Sequence, residues 1–255
     1  MDKTSLGDRM KMFEHATRTK LIRRMPVIIK LDGKAFHTFT QGMERPFDDI
    51  LIKTMQQTAL ELSKNIQNCV LAYTQSDEIS LLLVDYNKFE TEAWFDNNIQ
   101  KMASVAASMA TLYFNKYLGY HVDSLEYNDE SDIVTQEEKD KYHLYSKKLN
   151  KAMFDARVFN LTKEEVCNYF VWRQQDWERN SIQLLAQSKY SPKQMHGISC
   201  PKLQYKLFID FGINWFELDT HLKRGTCVKD GELDVEIPTF KDDRNYIEEE
   251  IYLEF

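Results

Sequence analysis

Asp32 and Asp77 are the residues of this chain whose type and placement could do chemistry. Asp32 ends the apolar run Val27-Ile28-Ile29-Lys30-Leu31 and is followed by Gly33. Asp77 lies in the polar turn Thr74-Gln75-Ser76-Asp77-Glu78, between apolar runs at 69–73 and 79–84. Two carboxylates at the ends of neighbouring strands can hold divalent cations against a nucleoside triphosphate, and nucleotidyl transfer asks for little further covalent chemistry from a protein. Mg2+ takes oxygen ligands, and Asp32, the Gly33 carbonyl and Asp77 would supply them as a catalytic and metal-holding set. Glu78 is the weaker candidate, because strand alternation turns it away from Asp77. The turn amides after Gly33 could form an anion-binding nest. Each feature also has a plainer reading. Asp-Gly is an ordinary turn, His37 could be packed or solvated, Phe36 could stack on a base or fill the core, and Lys101 and Arg157 could be surface charges. No Walker A spacing is present, and no Ser-His-Asp spacing stands out.

The chain that must position these acids has 255 residues, 43% of them hydrophobic and 13% aromatic. That supports one large domain or a domain with an appended unit. The net charge of −7 is unevenly spread. Residues 230–255 carry ten acids and two bases, which leaves residues 1–229 at +1. We therefore expect a palm-like catalytic domain over 1–229 and an acidic segment over 230–255 that packs on it or extends from it. A basic surface for a polyanion must be a local patch, and the cluster Arg18, Lys20, Arg23 and Arg24 is one candidate. The four cysteines show no CxxC pair or metal-ligand spacing, which reads as reduced thiols. No signal pattern and no membrane-length apolar run is present, so a cytoplasmic protein is expected.

Periodicity predicts a helix over 5–20, a strand over 27–31 and a helix over 48–65. A hairpin with a longer turn follows over 69–84, then a helix over 89–117, an exposed acidic insertion over 123–140 and a strand over 154–161. Another helix starts after Thr162, where Thr162-Lys163-Glu164-Glu165 fits a capping box. The order β-α-β-β-α-β is that of a ferredoxin-like α+β fold, here with flanking helices and a C-terminal extension. In it the first and third strands are antiparallel neighbours, so Asp32 and Asp77 meet at one sheet edge. Gly33 is expected there to permit a sharp turn.

These stretches resemble the tRNA-histidine guanylyltransferase family, the 3′–5′ polymerases. The resemblance is carried by Lys30-Leu31-Asp32-Gly33-Lys34-Ala35-Phe36-His37-Thr38-Phe39 and by Tyr73-Thr74-Gln75-Ser76-Asp77-Glu78-Ile79-Ser80. Phe154-Asp155-Ala156-Arg157, Tyr169-Phe170-Val171-Trp172-Arg173-Gln174-Gln175-Asp176 and Leu222-Lys223-Arg224-Gly225-Thr226 continue it in order. It implies a polymerase-type palm and two Mg2+ ions held by Asp32 and Asp77, with Gly33 giving a carbonyl. It also implies a nucleotide pocket made of Asp32, Gly33, Lys34, Ala35, Phe36, His37, Ser76 and Asp77. Lys30, Arg45, Lys101 and Arg157 fall at basic positions that contact phosphate or the tRNA end. The implied substrates are ATP, GTP and other nucleoside triphosphates together with the tRNA 5′ end and acceptor stem, and the implied assembly is a homotetramer.

The departures from the family pattern are informative. Lys30 and Lys34 stand for arginines, keeping charge but losing the bidentate fork. Thr74 stands for a glycine, so its φ must be unstrained. Members that add an untemplated guanosine carry Asp-Cys-His-Ile-Asn-Asn where this chain has Asp176-Trp177-Glu178-Arg179-Asn180-Ser181. The chain thus looks like the branch that fills in missing tRNA 5′ nucleotides by templating. The alternatives are addition of a single guanosine, a nucleotide-cyclase-like palm, and a tRNA-binding module with a dead site.

Overall fold

Alternating apolar residues in the first strand need cover on both faces, and both are covered. The computed structural model describes residues 4–126 and 135–252. Its elements run α1 (Leu6–Ala16), β1 (Val27–Gly33), α2 (Phe36–Phe39), α3 (Asp49–Asn65), β2 (Cys69–Gln75), β3 (Glu78–Leu83), α4 (Ile99–Glu126), α5 (Gln136–Ser146), β4 (Phe154–Asn160), α6 (Lys163–Gln187), α7 (Pro192–Met195), α8 (Cys200–Phe211), α9 (Thr220–Arg224), β5 (Thr226–Lys229), β6 (Glu232–Asp234) and α10 (Asn245–Glu248). The antiparallel sheet has the order β4-β1-β3-β2-β5-β6. Its first four strands are the expected ferredoxin-like arrangement, and β5 and β6 extend it beyond β2.

Val27, Ile29 and Leu31 pack with Met55, Ala59 and Leu62 of α3 and with Met102, Ala106 and Phe114 of α4. On the other face Ile28, Leu71 and Leu82 meet Val166 and Phe170 of α6. That face is completed by Ile237, Phe240, Ile247 and Ile251 from the acidic segment, all fully buried. A third cluster joins Ile182 and Leu185 of α6 to Leu203 and Leu207 of α8 and to Trp215.

Several local expectations are corrected. The β2–β3 connection is tight rather than long: Gln75 pairs with Glu78, leaving only Ser76 and Asp77 in the turn. β-branched Thr74 stays in the ladder opposite Ile79, and the left-handed residue is Ser76, at φ 49°. The helix expected from residue 89 starts at Ile99, because Phe95, Asp96 and Asn97 are all left-handed (φ 50°, 54° and 55°), a conformation a right-handed helix cannot include. The Asn98 side chain then accepts the Lys101 N–H at 2.9 Å and caps α4. Thr162 is the N-cap of α6, but its side chain makes no capping hydrogen bond. A full capping box forms instead at Thr135 and Glu138 before α5. The expected insertion is α4 up to Glu126 and α5 from Gln136, with 127–134 outside the described residues.

Candidate active site

The register of three strands builds the site. Asp32 lies opposite Glu78 of β3 and opposite Asp155 of β4. The Gly33 N–H donates to the Asp77 carbonyl oxygen at 3.0 Å, so the two acid-bearing ends are bonded directly. Burial pushes the Asp32 carboxyl up, and the nearby Glu78 carboxylate adds to it, while Lys30 and Arg157 work against it. Burial is also the largest cause raising Asp77, opposed by the Ser76 hydroxyl that donates to it and reinforced by Asp32. Asp32, raised by burial and by Glu78, and Asp77, raised by burial and by Asp32, are partly buried acids that favour a compensating cation. Among the described residues there is no group of three or more His, Cys, Asp or Glu suited to a metal. Asp32 and Asp77 therefore offer an all-oxygen pair whose remaining ligands would be carbonyl, phosphate and water, a donor set that suits Mg2+.

Gly33 is required here by close packing. A Cβ on it would fall 2.3 Å from the Phe36 ring, and its φ is not left-handed. Lys34 N–H donates to Met153 O at 2.8 Å, and the chain then turns through Ala35 at φ 55°, ψ 36° into α2. This αL-to-αR step makes a nest. The amides of Ala35, Phe36 and His37 donate to no carbonyl among the described residues. Gly33, Ala35, Phe36, His37, Ser76 and Asp77 line one cleft, together with Thr40 and Leu51. Lys34 is exposed beside it. The Phe36 ring fills the core rather than offering a stacking face. It is 3% exposed and packs against Phe39, Phe114 and Phe154 at 4.9, 5.4 and 5.2 Å between centroids. His37 is exposed, its Nε2 3.0 Å from the Thr38 hydroxyl.

The four basic candidates separate. Arg157 is exposed on β4 opposite Lys30, and its charge reaches Asp32. Arg45 is exposed in the loop before α3. Lys30 is held by Glu78 at 2.8 Å, and Glu78 is also bound by Arg173 at 3.0 Å and by the Gln75 amide at 3.2 Å. Lys30 is thus part of a buried ion ladder and is not a free phosphate ligand. Lys101 lies at the opposite end of the sheet. Its helix start is tied to residues 19–21 through Ile99 N–H to Thr19 O and Leu21 N–H to Asn97 O, near the beginning of β1, about 17 Å of strand away from Asp32. Its ammonium sits 4.4 Å from the Phe95 ring centroid.

The sequence reading missed Thr40 and Leu51, and also a second pocket on the far side of Ser76, lined in part by Leu51, Gln75, Trp177 and Leu184. Thr40 follows α2 and Leu51 sits on α3, outside the motifs, and the second pocket joins side chains of α3 and α6 that are far apart in sequence. The motif glycine Gly225 has a local reason. At φ +85°, a Cβ there would lie 2.7 Å from Thr74 O, where the chain enters β5 alongside β2.

The model of the family described as Thg1, tRNAHis guanylyltransferase, matches residues 7–162. The chain belongs to the Thg1 family. This is a family of nucleotidyltransferases, and the Thg1 fold expected from the motifs is the one observed. A bacterial Thg1-like protein solved in complex with ATP is 40% identical, with a TM-score of 0.83 over 98% of this chain and 100% of that one. A bacterial Thg1-like protein in complex with GTP is 38% identical, with a TM-score of 0.74 over the same shares. Among curated relatives, the Dictyostelium discoideum protein named probable tRNA(His) guanylyltransferase is 26% identical, covering 82% of this chain and 76% of its own length. The Homo sapiens protein of the same name is 27% identical, covering 79% and 63%.

Proposed function

We propose that this chain is a Mg2+-dependent, template-directed 3′–5′ nucleotidyltransferase that restores truncated tRNA 5′ ends. The carrying observation is that the Gly33 amide ties the end of the Asp32 strand to Asp77, and that Gly33, Asp77 and residues 35–37 of the nest line one cleft, while Asp32 itself sits one residue before Gly33 and does not line it. Bound Mg2+ would activate the attacking hydroxyl and offset charge on the leaving group. Asp32, Asp77 and the Gly33 carbonyl would hold it. The nest amides of Ala35, Phe36 and His37 receive phosphate oxygens, and the exposed cations Lys34, Arg45 and Arg157 screen the remaining charge. A tRNA 5′-monophosphate is joined to AMP from ATP with loss of pyrophosphate. The 3′-hydroxyl of an incoming nucleoside triphosphate then attacks that 5′ phosphorus and AMP leaves. A 5′-triphosphate end needs no first step. The ATP and GTP complexes of the bacterial relatives support nucleotide substrates, and the family name supports tRNA.

The test is incubation of full-length protein with 5′-truncated tRNA, ATP and each nucleotide in turn. We expect addition only of the nucleotide complementary to the facing base, and loss of at least 1,000-fold in Asp32→Ala and Asp77→Ala. Retained incorporation in either variant would refute the metal assignment. Addition of guanosine alone, whatever the facing base, would favour the single-guanosine reading that the relatives' names suggest. Trp177-Glu178-Arg179 in place of Cys-His-Ile weighs against that reading. We also propose a cytoplasmic homotetramer in which tRNA crosses subunits, since Lys101 lies far from Asp32 within one subunit. Light scattering of the active enzyme should give four chains, and an active monomer would sink the proposal.

A further inference from the structure

Helix α5 and the turn after it hold the loop that joins α2 to α3. That loop, residues 40–48, has no regular structure of its own, yet it runs between two walls of the Asp77 cleft. Thr40 at its start and Leu51 just beyond its end both line that cleft. The Lys148 ammonium donates to the Phe39 carbonyl oxygen and, at 2.8 Å, to the Gln41 carbonyl oxygen. These are the carbonyls on either side of Thr40. The same ammonium lies 5.5 Å from the Phe39 ring centroid. At the far end of the loop the buried Tyr145 hydroxyl donates to Asp48. The Asp48 carboxylate in turn accepts the Leu51 N–H at 2.8 Å and the Glu44 N–H at 2.9 Å. Between these two anchors Lys141 pairs with Glu44, and Leu144 lies so close to Gly42 that a Cβ there would fall 3.1 Å from it.

Lys148 does not line the cleft, so it is not itself a phosphate ligand there, and its effect passes through the backbone it holds. Its side chain is half-buried, and an ammonium that has lost water must find acceptors in the protein. Two carbonyl oxygens provide them. Without the ammonium those carbonyls turn to water and the start of the loop gains freedom. A wall that must be ordered when its ligand arrives binds that ligand more weakly than one already in place.

We infer that Lys148 is a positioning residue for nucleotide binding: it fixes the Thr40 wall of the cleft through the backbone of Phe39 and Gln41, while Tyr145 fixes the Leu51 wall through Asp48. The inference rests on the reading of that cleft as the seat of a nucleoside triphosphate.

Two measurements on the full chain test it, calorimetric binding of ATP with Mg2+ and steady-state nucleotide addition to 5′-truncated tRNA. Lys148→Met keeps a long stem and removes the donors, and Lys148→Arg keeps the charge and the donors. Lys148→Met should raise the Kd for ATP and the KM for the incoming nucleotide at least fivefold while kcat stays within twofold of wild type. Lys148→Arg should return Kd to within twofold of wild type. Tyr145→Phe should raise Kd at least threefold, and an unchanged value would overturn its part in the inference. Loss of folded protein alone would lower the binding stoichiometry and kcat and leave Kd and KM in place. A Kd within twofold of wild type in Lys148→Met, or a loss confined to stoichiometry and kcat, would therefore overturn the role of Lys148. A Kd raised equally by Met and Arg would also overturn it and assign the effect to packing of the stem. Wild type that binds ATP yet adds no nucleotide would refute the proposed reaction and leave the binding comparison to decide for Lys148. Wild type that binds no ATP would refute both.

Discussion

Asp77 is raised chiefly by burial, and this sets the sign of its effect on stability. A carboxyl held above its usual range lets the folded chain bind protons more tightly than the unfolded one. The stability this contributes is complete below the unfolded pKa and is lost as pH rises through the folded value. Without cations at neutral pH, the ionised acid therefore works against folding. Asp77→Asn should raise the Tm in EDTA at about pH 7, and the gain should shrink as pH falls toward the ordinary carboxylate range, because burial raises the Asp77 carboxyl and favours its protonated form. Added Mg2+ should raise the Tm of wild type and not of the variant. Scanning calorimetry checks all three, and a gain undiminished in acid would point to packing instead. That the two acids would meet was legible in the sequence, because period-two alternation and strand order fix register. The fate of Phe36 was not: the same Gly-Lys-Ala-Phe string suits a base-stacking ring or a core ring, and only Phe114 and Phe154, far along the chain, decide it.

At the level of elements, α6 is fastened to the sheet by charge as well as by apolar packing. The Arg173 side chain is 5% exposed and reaches both Glu78 at 3.0 Å and Asp176 at 3.5 Å. Its guanidinium carbon lies 3.6 Å from the Trp172 ring centroid. Removing one member of such a network leaves an uncompensated buried charge. Arg173→Met should cost about 3 kcal/mol in urea denaturation, and a cost under about 1 kcal/mol would show that Lys30 alone suffices for Glu78. The motif Trp-Arg-Gln-x-Asp was visible in the sequence, yet its partner on β3 was not, since helical periodicity says nothing of which strand a helix crosses. The start of α4 was misread for a similar reason. Phe95, Asp96 and Asn97 adopt a conformation that residues with a Cβ seldom take, and Asp96, from within that bend, pairs with Lys20 and Arg23.

Across the whole molecule, the acidic segment is a structural cover. Four of its side chains, Ile237, Phe240, Ile247 and Ile251, are fully buried on the α6 side of the sheet, and Lys229 of β5 pairs with Glu249 and Glu250. At about 2 kcal/mol per buried side chain, their loss would remove about 8 kcal/mol, comparable to the full stability of an ordinary domain. A chain ended after residue 236 should therefore lose its cooperative thermal transition and aggregate, and a soluble truncated protein with a native-like Tm would contradict this. The sequence showed the charge of this segment plainly and its burial hardly at all, because Ile237, Phe240 and Ile251 lie outside regular elements and α10, which carries Ile247, spans only four residues, too few for periodicity to register. One contact described above reaches beyond any single experiment. With the Gly33 amide bonded to the Asp77 carbonyl oxygen, the spacing of the two strand ends is set by backbone atoms rather than by side chains. Drift in the surrounding side chains can then remodel the core while the spacing of Asp32 and Asp77 holds.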